Sequence, residues 1–274
     1  MTRLVTAELL VLRKRAATWI LLGLWTFMAV FFAYVIPYAL DPEGSPTGLD
    51  QLLPGSLAGN LIVGFPFFGG VLALMLGVFA FGSEYGWGTP KTLFTQGPGR
   101  LRVLAAKLFG LGIVLVPFVL AVFAAGAVAS YVIAQIENVP VDWPSAWLLV
   151  RAMAAGWLIL AVWAALGVLL GVVTRGTSLA IGIGILYALV IEGLLSALAG
   201  SVSVLEPLTD VFLRANGYSI AAALGASLDS IEGNGPGSFG GPFVNSLQAV
   251  AALAAFVACF VAASGFLLRR RDVA

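Results

Sequence analysis

Residues 108–134 read LFGLGIVLVPFVLAVFAAGAVASYVIA, a run without one charged side chain. A bilayer core of about 30 Å, crossed at ~1.5 Å per helical residue, takes ~20 residues, so this run predicts a membrane-crossing helix. Arg100, Arg102 and Lys107 stand on its N-terminal side. Working outward, five more apolar stretches are long enough to cross: Ala16–Leu40, Leu57–Phe81, Ala146–Val173, Leu179–Ala199 and Leu247–Leu268. The third and fourth of the six are long enough to tilt or to run past the hydrocarbon, and Pro66 and Pro117 are expected to kink the second and third. With 61% hydrophobic and only 10% charged residues among 274, the chain reads as an all-α integral membrane protein forming one domain over 1–274. Arg13-Lys14-Arg15 before the first span has the look of a signal peptide, but the apolar run is too long for one. It reads as a retained anchor.

Orientation follows from the cations. With the N-terminus inside, twelve of the 14 Lys and Arg residues fall on the inner side, only Arg151 and Arg214 lie on the outer side, and nine carboxylates occupy the outer connections. Both termini are therefore predicted to be cytoplasmic. A net charge of +1, spread in this way, offers no concentrated basic face for a nucleic-acid partner.

Much chemistry is excluded at this stage. Histidine is absent and Cys259 is the single cysteine, which removes Ser-His and Cys-His nucleophiles, His/Cys zinc sites and internal disulfides. A phosphate-binding P-loop needs Gly-Lys followed by Ser or Thr, and the three lysines here follow Arg13, Pro90 and Ala106. Catalytic residues, metal ligands and bound cofactors are accordingly expected to be none. An aspartyl dyad would need two facing carboxylates, and Glu192 is the only acidic residue well inside a span. Burying that group is costly, so it is a functional candidate by default. Arg151 should sit at a similar depth in the fourth span, which makes a Glu192–Arg151 ion pair the expected arrangement, against separate snorkelling of the two. A proton or substrate role for Glu192 is a further alternative.

Three connections carry the remaining signal. Val5, Leu9 and Leu12 share a helical face ahead of the basic cluster, as in a helix lying at the inner surface. After the second span, Thr89 is a good N-cap, Pro90 suits a first helical position and Gly97-Pro98 stops the chain. That predicts a two-turn helix, Thr89–Gln96, with Leu93 and Phe94 as an apolar knob; so short a helix must lean on something. Between spans five and six, Val202–Ala226 mixes apolar residues with Glu206, Asp210 and Arg214, which suggests short helices dipping into the outer interface, and Ser227–Pro242 reads as an outer loop. Small residues at Gly167-x-x-x-Gly171, Gly70, Gly77, Ala254, Ala258 and Ala262 mark places where spans can approach closely.

Three short blocks, set in this topology, resemble the membrane (permease) subunit of a type-two ABC exporter. They are Ala7-Glu8-Leu9-Leu10 before Arg13-Lys14-Arg15; Glu84-x-x-x-Gly88-Thr89 followed by Leu93, Gln96-x-Pro98-x-Arg100 and Lys107; and Phe266-Leu267-Leu268-Arg269-Arg270-Arg271-Asp272-Val273. The resemblance implies an N-terminal elbow helix, re-entrant outer helices between spans five and six, and a coupling helix at Thr89–Gln96. Glu84, Gly88, Thr89, Leu93, Phe94 and Arg100 would then form the contact with a separate ATP-binding cassette ATPase, which carries the ATP and Mg. It implies a second permease subunit, identical or different, and lipophilic or amphipathic cargo moved across or out of the plasma or inner membrane. One departure stands out: where that family often has Leu-Pro-x-Asn after the fifth span, this chain has Leu213-Arg214-Ala215-Asn216. A non-transporting scaffold or sensor is the alternative, and so is a channel, although no charged ring or carbonyl filter is recognisable.

Overall fold

The computed structural model of the chain describes residues 2–40, 48–86, 99–199, 211–227, 231–232 and 243–270. Among these the secondary structure is helical, and six helices are long and apolar enough to cross a membrane: Ala16–Ala39, Phe65–Ser83, Arg100–Ile136, Ala146–Thr174, Ser178–Leu195 and Ser246–Arg270. The expected six spans are thus present. The third runs unbroken through Pro117. The second does not extend from Leu57 as one helix: Leu57–Ile62 is a separate helix, and the span proper begins at Phe65 with a π turn. Gly64 and Pro66 explain this break, because proline withholds the N–H that a continuous ladder would need.

Spans two and four form the centre. About 78% and 61% of their most apolar windows are buried, against 22%, 22% and 17% for the first, fifth and sixth spans, which turn apolar faces outward. Glycine makes the central contact possible. A Cβ added to Gly77 would lie 2.1 Å from the Ala164 carbonyl oxygen, and one added to Gly167 would lie 2.1 Å from that of Leu74. Backbone meets backbone there, which is how helices gain packing energy where lipid is as apolar as leucine. Trp25 of the first span packs against Gly69 of span two, edge-on to Phe65 with ring centroids 5.1 Å apart.

Basic side chains knit one end of the bundle. Arg15 donates to the Phe79 carbonyl near the end of span two, and Arg100 donates to the Leu268 carbonyl at 3.1 Å. Leu268 lies in the last turn of its helix, where carbonyls otherwise lack partners; the Phe79 carbonyl also accepts from Ser83 Oγ at 2.6 Å. The N-terminal helix, Thr2–Lys14, packs along the start of span three, and its Glu8 meets Lys107 at 3.0 Å. Lys107 is 2% exposed, so the pair is costly to break from one side. Glu8→Ala is expected to lower stability by about 2 kcal/mol, less than for a fully buried pair because Glu8 keeps some contact with water. An SDS titration of the detergent-purified protein, following helix content, measures it.

Candidate functional site

A carboxylate inside an apolar span must find donors, because no water is at hand to supply them. Glu192 is 1% exposed and finds three among the described residues. Its Oε1 accepts from the Tyr187 hydroxyl at 2.6 Å and from the Leu213 N–H at 2.8 Å, and its Oε2 accepts from the Arg214 N–H at 3.1 Å. The first of these depends on a local distortion. Residues five apart on an α-helix point roughly 140° away from each other, yet the segment Tyr187–Ile191 is a π turn, whose i→i+5 geometry carries Tyr187 round to the face of Glu192.

The other two donors begin a helix, Leu213–Ala223. Leu213 through Ala221 are all buried, so the N–H groups that begin this helix must be satisfied within protein. Phe212 at its N-cap offers no side-chain acceptor, and Glu192 supplies the missing cap from span five. At the other end Gly225 takes a φ of +92°. Its N–H reaches the Ala222 carbonyl and that of Ala226 reaches Ala221, each at 3.1 Å, the paired closure that a left-handed glycine permits. Gly217 lets the helix pass close to the Pro66 ring, and Ser219 Oγ accepts from the Val244 N–H at 3.1 Å. The described part of the mixed segment before span six is therefore a helix covered by the bundle; the part before residue 211 lies outside the described residues.

Arg214 joins this helix to two π turns. Its guanidinium donates to the Ala188 carbonyl, in the π turn of span five, at 3.3 Å, and lies 4.8 Å from the ring centre of Phe67, in the π turn of span two. Phe68, next along, stacks on Phe32 at 5.3 Å with the rings 7° from parallel, and Phe32 sits in a third π turn, Phe31–Val35, where Asn60 Nδ2 donates to the Ala33 carbonyl at 3.1 Å. A π turn shifts carbonyls out of the i→i+4 register and leaves them able to serve other donors. Spans one, two and five are each distorted in this layer, and the buried helix is pinned there by one carboxylate and one guanidinium.

The sequence placed Glu192 correctly inside a span but assigned it another partner. Arg151 is exposed on the fourth span, and the structure does not bring it to Glu192, whose acceptors are taken up by Tyr187, Leu213 and Arg214. Tyr187 escaped notice because a 3.6-residue periodicity puts it on the opposite face; Arg214 was visible only as a cation in an apolar neighbourhood. Arg100 stands at the start of span three, tied to the end of span six. Glu84 belongs to the last turn of the helix Gly70–Gly86. Gly88, Thr89, Leu93 and Phe94 lie outside the described residues, and among the described residues no three His, Cys, Asp or Glu side chains gather in one place.

Compared with known families, residues 4–191 match the family model described as ABC-2 family transporter protein. The match takes in the N-terminal helix and spans one to five up to the residue before Glu192. No curated protein matches the chain.

Proposed function

We propose that this chain, which belongs to the ABC-2 transporter family, is the permease subunit of an exporter driven by a separate ATP-binding cassette ATPase. The observation that carries this reading is the family match over five spans, joined to six apolar helices whose flanking cations fall mostly at one end. That end faces the cytoplasm, both termini with it, in the plasma or inner membrane. Two permease subunits enclose the path, and each takes one ATPase at the connection holding Glu84, Gly88, Thr89, Leu93, Phe94 and Arg100, with Thr89–Gln96 as the coupling helix and Thr2–Lys14 as the elbow helix. ATP and Mg belong to the partner; this chain holds no cofactor and catalyses nothing.

The tertiary contacts supply a route for the push. Closure of the ATPases displaces the connection after span two, and span two is locked to span four through Gly77 and Gly167, so the two move as one body. At the far end of span two stands Phe67, against Arg214. Tilting span two therefore loads the clamp on the buried helix, which serves as the outer closure of the path. The exposed apolar faces of spans one and five suit lipophilic or amphipathic cargo better than a small ion.

Co-purification with a Walker-motif ATPase encoded by an adjacent gene tests the reading. Wild type is expected to retain the ATPase and to drive ATP-dependent efflux; Leu93→Asp/Phe94→Asp is expected to lower retention at least tenfold and to abolish efflux while span content is unchanged. Equal retention and efflux in both proteins would overturn the coupling assignment, and no ATPase bound by wild type would overturn the exporter reading.

A further inference from the structure

Away from the buried helix, spans three, four and six enclose a groove of about 890 Å³, near the upper end of the ~300–1,000 Å³ typical of ligand sites. Its walls are apolar along most of their length, including Leu108, Val116 and Val261, and Arg269 lines one end. Along span three the lining runs from Leu101 to Val116, which is about 22 Å at helical rise and about half as long again as one leaflet's share of a bilayer core of about 30 Å. At the deep end Trp157 also lines it, with the indole N–H donating to the Gly112 carbonyl of span three at 2.9 Å.

The mouth is cationic beyond Arg269 itself. Arg270 stacks on Phe266, another lining residue, at 4.5 Å from the ring centre, and the Arg100 guanidinium reaches the Leu268 carbonyl between them. We propose that this groove holds one phospholipid of the inner leaflet with an anionic headgroup, its acyl chain on the apolar walls and its phosphate on Arg269. Assignment to the inner leaflet rests on the orientation proposed above; the site itself does not. A guanidinium presents paired N–H donors matched to phosphate oxygens, and the groove is long enough to take a chain that starts in the headgroup region and passes the interface to the midplane. A second copy of this chain is the poorer occupant. Related by an axis along the membrane normal, it would bring its own Arg269 to the same depth and set like charges face to face.

The test uses tryptophan emission from the full chain in phosphatidylcholine vesicles, without ATPase. A few per cent of phosphatidylglycerol, or of phosphatidylcholine as the neutral probe, carries bromine in the distal half of its acyl chain. In wild type, brominated phosphatidylglycerol is expected to reach half-maximal quenching at a mole fraction at least fivefold lower than the neutral probe. Trp157→Phe should remove the high-affinity component, and Arg269→Gln should shift it to the neutral value. Equal quenching by the two probes in wild type would overturn the proposal whatever the variants do. So would an undiminished preference in folded Arg269→Gln, or disulfide-linked dimers of Ala262→Cys in a Cys259→Ala background, which would put a second copy in the groove. Lipid preference in a protein that binds no ATPase would leave this site standing while the exporter reading fell.

Discussion

Glu192→Ala is expected to cost about 3 kcal/mol of stability and to release the buried helix. The Leu213 and Arg214 N–H groups would lose their acceptor inside the bundle, and each orphaned donor costs ~1–3 kcal/mol. Relief from burying a carboxylate offsets part of the sum. Glu192→Gln keeps one carbonyl oxygen for one donor and turns an amide N–H₂ toward the other, so about half the loss is expected. The SDS titration of detergent-purified protein gives the free energies. Hydrogen exchange supplies the discriminating readout: protection should fall first over residues 213–223 in Glu192→Ala, while the Ala164 region keeps its protection. Uniform loss across all spans would mean that Glu192 does not act through the buried helix.

Gly167→Leu is expected to do more, and Gly77→Leu the same. A Cβ at either position would stand 2.1 Å from a carbonyl oxygen of the facing helix. The obstacle is backbone, so spans two and four must separate before any side chain fits. Overpacking a core with side chains alone costs ~1–3 kcal/mol; parting two spans along their central contact should exceed that and leave no monodisperse protein on gel filtration. Gly182→Leu is the control, since nothing lies within 4 Å of a Cβ there and leucine favours helix. It should be silent or slightly stabilising. Loss of folded protein in Gly182→Leu as well would show that glycine is needed for span flexibility rather than for close approach.

The two predictions differ in how far the sequence foreshadows them. Gly77 and the Gly167-x-x-x-Gly171 spacing are readable, because small residues at helical intervals have one principal use in a membrane; which span they meet is not, since any of the other five would accept them. Glu192 is conspicuous as the lone carboxylate in a span. Its partner is hidden, because backbone N–H groups have no letter in a sequence and because the π turn at Tyr187–Ile191 breaks the periodicity by which faces are assigned. The choice of Arg151 came from matching charge and depth along straight helices, whereas the donors came from a helix folded back into the bundle.

The set of spans and the sorting of charge between their ends are legible in the residues alone, since both follow from the cost of placing polar groups in hydrocarbon, which is incurred residue by residue. Which spans touch, and what satisfies the buried polar groups, is settled by packing. Those outcomes depend on backbone brought together from residues 77 and 167, or 192 and 213, and on distorted turns whose freed carbonyls exist only once the helices have packed.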